Sequence, residues 1–165
     1  MAYLLDANVF ISAKDLHYGF DFCPAFWDWI ERESNAGNVM SVEHVGGELK
    51  AGEDELADWA QQHDKRFFMP ADATTVPALE AVATWITDHE RYSPAAKNTF
   101  LQVADYYVVA QALAGGHVVV THERPAESVH RVKIPNVCLG LSVRYMNPFE
   151  MLRRQRARFV LGVPA

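Results

Sequence analysis

Two uninterrupted apolar runs, Tyr3–Leu5 and Val118–Val120, constrain the fold more than any other feature of the sequence. Neither run shows the polar alternation of a strand with one face in solvent. Strands that are buried on both faces are typical of parallel sheets covered by helices. Helical patterns lie between these runs and other short strand-like segments. This alternation predicts an α/β fold with a mainly parallel sheet.

The length and composition predict one globular domain over residues 1–165. Half of the residues are hydrophobic, and neither a repeat nor a low-complexity linker interrupts the pattern. No apolar run approaches the roughly 18 residues needed to cross a bilayer. The N-terminus lacks a basic region followed by a long apolar stretch. We therefore expect a cytoplasmic protein with no membrane association, in which Cys23 and Cys138 are free thiols.

The net charge of −6 argues against an extended basic surface for nucleic acid. It does not exclude a nuclease, because clustered active-site carboxylates add negative charge that divalent cations offset locally.

The local patterns predict the individual elements of the domain. The expected strands are residues 3–5, 39–42, 67–69 and 118–121, with shorter extended pieces at 132–135 and 137–139. The expected helices are residues 9–13, 24–33, 43–50, 53–63, 76–89, 97–114 and 149–160.

Four acidic residues at element ends or on an apolar helix are candidates for one metal site. Asp6 and Glu123 follow buried strands, Glu48 lies near the end of the helix after the second strand, and Asp105 lies on a long apolar helix. Ligands of open parallel sheets bind beyond the carboxyl ends of the strands. Carboxylates suit Mg²⁺ or Mn²⁺, and such ions bind a phosphodiester and prepare a water molecule for attack.

Each of the four acids also has a structural alternative. Asp6 could be the N-cap of a helix, and Glu48 a solvated helix residue. Asp105 could pair with a neighbouring helix, and Glu123 could be an ordinary loop residue. Their order along the chain, with two acids at strand ends, favours the joint site.

Four segments resemble the motifs of PIN-domain nucleases: Leu5–Val9, Val45–Leu49, Ala104–Ala110 and Val118–Glu123. Three more, residues 26–29, 53–56 and 133–138, are similar to a less-studied PIN-like subgroup. The resemblance covers most of the chain. It implies a compact three-layer α/β/α domain that cleaves RNA with Mg²⁺ or Mn²⁺.

The resemblance also implies roles for individual residues. The four acids would hold metal or activate water, and Asn8 and Thr121 would orient them through hydrogen bonds. Two positions depart from the family pattern. Ala7 stands where Ser or Thr is frequent, and Glu123 stands where Asp is usual. Its longer side chain would alter the metal geometry or reach the metal through water.

Many bacterial PIN proteins are VapC-type toxins, held inactive by a cognate antitoxin and often dimeric. The resemblance therefore implies the toxin of a type II toxin–antitoxin system, with an antitoxin and a second copy of the chain as partners. A non-catalytic PIN-like binding module is the alternative. A phosphatase with an aspartyl nucleophile fits less well, because that class usually needs a second Asp where Asn8 stands.

Two basic or titratable side chains are candidates for substrate contact. His122 directly precedes Glu123 and would contact phosphate, with an ordinary strand-end histidine as the alternative. Lys133 would bind the scissile phosphate or a site carboxylate, with a solvated lysine as the alternative.

Overall fold

The centre of the molecule is a five-stranded, all-parallel sheet, seen in a computed structural model that describes residues 1–162. Its strands are, in chain order, β1 (Tyr3–Leu5), β2 (Val39–Val42), β3 (Phe68–Met69), β4 (Val118–Val120) and β5 (Tyr145–Met146). Their spatial order is β3-β2-β1-β4-β5, with helices flanking the sheet. The predicted α/β class with a three-layer α/β/α architecture is confirmed.

The α-helices follow the strands in alternation. They are α1 (Ala7–Ser12), α2 (Pro24–Asn35), α3 (Glu43–Lys50), α4 (Glu55–Gln61), α5 (Val76–Asp88), α6 (Pro94–Gln102), α7 (Ala104–Gly115), α8 (Ile134–Gly140) and α9 (Pro148–Arg154). A five-residue π-helical turn, Ala13–His17, continues α1. None of the helices in residues 1–162 is long and apolar enough to span a membrane.

The strand order reverses between β1 and β4, which pair directly with each other. From β1 the chain proceeds to β2 and β3 on one side, and from β4 it proceeds to β5 on the other. The backbone N–H of Asp6 donates to the carbonyl of Val120 at 2.9 Å, so the residues that follow both strands emerge side by side. This reversal is the position at which open α/β sheets form their ligand crevice.

The prediction of one helix over residues 97–114 is wrong, because the structure has two helices, α6 and α7. The break lies at Val103, whose backbone is extended (φ −112°, ψ 169°). The segment contains neither glycine nor proline to mark the break. Instead, the N–H of Ala104 donates to the Glu48 carboxylate at 3.3 Å. A tertiary contact therefore starts the second helix.

The predicted extended pieces at 132–135 and 137–139 are also wrong, because α8 occupies most of this segment. Pro135 lies in its first turn, where the missing N–H and fixed φ are tolerated. The N–H of Ile134 donates to the Glu123 carboxylate at 2.8 Å. Valine and isoleucine raised the strand propensity of the sequence, but a distant carboxylate supplies the helix with its cap.

The ends of the chain differ from the sequence expectations in smaller ways. The first helix begins at Ala7 rather than at residue 9, and its π-helical turn extends to His17. The last helix ends at Arg154 rather than at residue 160, and Arg156 adopts a positive φ of 52°. Cys23 and Cys138 are free thiols, as predicted.

Two adjacent glycines of α3 give a test of how tightly this helix packs on the sheet. A Cβ added to Gly46 would lie 2.7 Å from the Phe68 ring, whereas a Cβ on Gly47 would meet no atom of residues 1–162 within 4 Å. We expect Gly46→Ala to lower the free energy of unfolding by about 1–3 kcal/mol through overpacking. Gly47→Ala should raise it by about 0.5–1 kcal/mol. Urea denaturation of both variants checks this, and equal stabilities would contradict it.

Candidate metal centre

Asp6 is the buried centre of the candidate site, with 3% of its surface exposed. It occupies the N-cap position of α1, but its side chain makes no capping hydrogen bond. Its carboxylate accepts a hydrogen bond from the Thr121 hydroxyl at 2.9 Å instead. The structure therefore does not support the helix-capping alternative for the Asp6 side chain.

The hydroxyl of Thr121 connects the ends of β1 and β4. It donates to Asp6 and accepts from the side-chain amide of Asn8 at 3.2 Å and from the N–H of Glu123 at 3.1 Å. The side-chain carbonyl of Asn8 in turn accepts the N–H of His122 at 3.1 Å. Thr121 thus contacts Asp6 directly, and Asn8 reaches Asp6 only through Thr121 while also holding the segment that carries Glu123.

The surroundings of Asp6 oppose its ionisation. The pKa of Asp6 is raised to about 8, mainly by burial and also by the charges of Asp105 and Glu123, while the Thr121 hydrogen bond opposes the increase. Within residues 1–162, Asp6 forms no ion pair with a lysine or arginine. A buried carboxylate in this position requires either a proton or a cation.

Asp105 shares this environment from the first turn of α7. Its pKa is raised to about 6, mainly by burial and also by the charges of Glu123 and Glu48, while Arg131 opposes the increase. The interacting charges show that the fold brings the four predicted acids into one electrostatic cluster, although they come from four separate parts of the chain.

Glu48 and Glu123 also have structural roles, because each accepts an N–H at the start of a helix. Glu48 accepts from Ala104 of α7, and Glu123 accepts from Ile134 of α8. The other carboxylate oxygen of Glu123 accepts from the Arg131 guanidinium at 3.2 Å. Helix N-termini favour such negative charge, so the two glutamates are better compensated than Asp6, whose side chain accepts the Thr121 hydroxyl but has no cationic partner within residues 1–162.

Two clefts are lined in part by the acids, one by Glu48 and Asp105 and the other by Glu123, and Asp6 lines neither of them. The α6 cleft, about 470 Å³, is lined by Glu48, Asp105, residues of α6 and residues 130–132. The α9 cleft, about 370 Å³, is lined by residues 122–125, 145–147, Phe149 and Glu150. Glu123 lines the second cleft, and its charge reaches Asp105 in the first.

The donor set fits a hard divalent cation in its chemistry. The four acids and Thr121 offer only oxygen, which Mg²⁺ and Mn²⁺ prefer. In residues 1–162, no three carboxylate, imidazole or thiolate groups are grouped closely enough to enclose an ion. Magnesium commonly uses only one or two carboxylates and completes its shell with water and substrate phosphate. Asp6 and Asp105 are the acids that most need such an ion.

The two predicted substrate contacts lie on different elements: His122 follows β4, and Lys133 precedes α8. His122 is half-buried, lines the α9 cleft and is held through its N–H by Asn8. Lys133 is half-buried at the N-cap of α8, next to the Ile134 N–H that binds Glu123.

The sequence matches the family model described as a domain of unknown function, DUF4411, over residues 3–159. The chain belongs to the DUF4411 family. Searches of curated proteins and of solved structures gave no match. In this DUF4411 chain, the matched region contains all four acids together with Asn8 and Thr121.

Sequence reasoning missed three residues around the site in this DUF4411 protein. Arg131, which pairs with Glu123, lies in an irregular segment with no periodicity to place it. His17 and Phe149 approach His122 from opposite ends of the chain. Only the parallel pairing of β4 and β5 brings the start of α9 next to the acids, and the two residues of β5 were not predicted as a strand.

The raised pKa values predict how the stability of the metal-free protein depends on pH. In the folded state, Asp6 and Asp105 have pKa values of about 8 and about 6, against an ordinary 3.8. The folded protein therefore holds protons that the unfolded chain releases as the pH rises above about 4. Each held proton lowers the free energy of unfolding by about 1.4 kcal/mol per pH unit.

We accordingly expect urea denaturation in EDTA to show stability falling from about pH 4 to about pH 8, with Asp6 alone responsible above about pH 6. Asp6→Asn should remove that upper part of the decline, and Asp28→Asn, at an exposed position of α2, should not. Wild-type stability that rises between pH 6 and 8 would contradict the assignment.

Glu123 offers a separate test of its two roles. Glu123→Gln keeps an oxygen that can accept the Ile134 N–H, whereas Glu123→Ala removes it. We expect the Ala variant to be less stable than the Gln variant by about 1 kcal/mol in EDTA, as for loss of a helix cap. Both variants should bind Mn²⁺ more weakly in a calorimetric titration. Equal stabilities would contradict the capping role, and unchanged Mn²⁺ affinity would exclude Glu123 from metal binding.

Proposed function

We propose that this protein is a Mg²⁺- or Mn²⁺-dependent endoribonuclease that hydrolyses RNA phosphodiester bonds. The observation that carries the proposal is the state of Asp6. It is buried beyond the carboxyl ends of the two central strands, lies close to the charges of Asp105 and Glu123, and has no cationic partner in residues 1–162. The similarity of its surrounding segments to PIN-domain nucleases indicates the reaction.

In this proposal, two of the acids bind the ion, and the other two adjust the charge around it. Asp6 and Asp105 bind the cation, and Thr121 fixes the orientation of the Asp6 carboxylate. Glu48 and Glu123 add negative charge and hold the starts of α7 and α8 in place. When bound, the ion would stabilise negative charge on the phosphate oxygens and lower the pKa of an attacking water molecule.

The two clefts support a polymeric substrate. An RNA strand whose scissile phosphate lies at the acids can continue into the α6 cleft on one side and the α9 cleft on the other. In the proposal, His122, which lines the second cleft, and Lys133, at the N-cap of α8, contact phosphates of the strand.

We extend the proposal to the biological setting implied by the PIN resemblance. The protein would be the toxin of a type II toxin–antitoxin system, inhibited by a cognate antitoxin and active as a homodimer in the cytoplasm. This part rests on the resemblance alone. Coexpression with the product of an adjacent small gene, followed by an RNA cleavage assay, tests whether such an inhibitor exists.

One observation favours the alternative of a non-catalytic binding module. Glu48 and Glu123 are already engaged at helix starts, and Glu123 also pairs with Arg131. In that case the carboxylates would only support the fold. Denaturation curves that are identical with Mn²⁺ and with EDTA would favour this alternative over the nuclease.

The nuclease proposal predicts cleavage of single-stranded RNA by the purified protein in Mn²⁺ and none in EDTA. Asp6→Asn and Asp105→Asn should each reduce the rate by about 100-fold or more while the circular dichroism spectrum is retained, because each removes a charge that holds the ion. Asp28→Asn is the matched control and should keep the wild-type rate. Cleavage that persists in EDTA, or in Asp6→Asn, would overturn the proposal.

A further inference from the structure

The α9 cleft differs from the α6 cleft in the side chains that surround it. His122, Tyr145 and Phe149 place aromatic rings in its wall, and Glu123 connects it to the acids. The α6 cleft has two such rings, Phe100 and His130, together with the small side chains Ala95, Ala96 and Thr99. The α9 cleft is therefore the richer of the two in aromatic side chains.

Two rings that line the α9 cleft, His122 and Phe149, pack together with His17, which lies next to the cleft residues without lining the cleft itself. His17 packs edge-on against Phe149 with 5.1 Å between the ring centroids, and His122 lies 5.7 Å from Phe149 and 5.8 Å from His17. The π-helical turn Ala13–His17 carries His17 to this position. Such turns are frequent at functional sites. The group remains accessible, since His17 is exposed and Phe149 only half-buried.

The charges at the α9 cleft suit an anionic ligand, in contrast to the net charge of the chain. Arg124 lines the cleft, is exposed and forms no ion pair within residues 1–162. The two acids that line the cleft are both paired, Glu123 with Arg131 at 3.2 Å and Glu150 with Arg154 at 2.8 Å. Asn147 is exposed, and only its side-chain oxygen is used, as the cap of α9. The Arg124 guanidinium is therefore available to an anionic ligand in the cleft that the aromatic residues and Glu123 also line.

We propose that the α9 cleft binds a nucleobase of the RNA strand adjacent to the scissile phosphate, stacked against Phe149 and His122, with Arg124 contacting a neighbouring phosphate. This inference rests on the proposed nuclease function, because the acids define where the scissile phosphate lies. Base stacking on aromatic side chains together with a basic group is the usual way in which proteins hold single-stranded nucleic acid. The cleft would thereby set the base preference at one position of the substrate.

A binding assay that does not require cleavage tests the inference. The probes are a fluorescein-labelled 12-nucleotide single-stranded RNA of mixed sequence and the same backbone with abasic units, titrated in EDTA and followed by fluorescence anisotropy. The variants are Phe149→Ala, Phe149→Trp and the control Phe22→Ala, which removes a 65% exposed ring elsewhere. Thermal melting reports whether each variant is folded.

We expect wild-type protein to bind the RNA at least about 5-fold more tightly than the abasic probe, the lower end for one base stack. Phe149→Ala should lose this preference, whereas Phe149→Trp and Phe22→Ala should keep it. Equal binding of both probes by wild-type protein, or a preserved preference in folded Phe149→Ala, would overturn the inference. If Phe149→Ala does not fold, the wild-type comparison and Phe149→Trp decide.

Cleavage in Mn²⁺, measured in parallel, separates this inference from the nuclease proposal. Cleavage without a base preference in binding would overturn the base site alone. A ring-dependent base preference without cleavage would overturn the nuclease and leave the base site standing. In the active protein, Phe149→Ala should raise KM for the RNA and reduce discrimination between substrates that differ at one base, with the rate at saturation less affected.

Discussion

The hydrogen bonds of one hydroxyl, that of Thr121, hold together the part of the molecule on which the candidate site depends. This hydroxyl joins the carboxylate after β1 to the amide of Asn8 and to the backbone of the segment after β4. Without it, Asp6 would be a buried charge with no side-chain hydrogen-bond donor, which is costly. The strands β1 and β4 are also those at which the sheet reverses its order, so this contact lies where open α/β sheets form their ligand crevice.

The glutamates show how a fold can use the same carboxylate for structure and for charge. Glu48 and Glu123 start α7 and α8 from a distance, and each also raises the pKa of Asp105. Loss of either would therefore alter both the path of the backbone and the electrostatics of the cluster. The two aspartates are different, because neither carboxylate caps the start of a helix and burial raises the pKa of both. This difference separates the residues that would hold a cation from those that position the helices around it.

The sequence predicted the α/β class and four of the five strands, because these leave local signals. Uninterrupted apolar runs marked β1 and β4, and the acids that follow them lie where parallel strands end. The break at Val103 and the helix α8 could not be predicted, since the carboxylates that cap α7 and α8 are 56 and 11 residues away. The aromatic group around Phe149 was missed for a similar reason. Its members, His17, His122 and Phe149, are far apart along the chain, and the pairing of β4 with β5 is needed to bring them together.

The long separation along the chain between Asp6 and Thr121 has a consequence for synthesis. Their hydrogen bond spans 115 residues. A nascent chain that ends before residue 118 already carries Asp6, Glu48 and Asp105, but it lacks β4, Thr121 and Glu123. The four acids can assemble only when the last third of the chain has joined the sheet, because Thr121 and Glu123 lie in that part of the sequence. Completion of the candidate centre thus coincides with completion of the domain, and incomplete chains lack it.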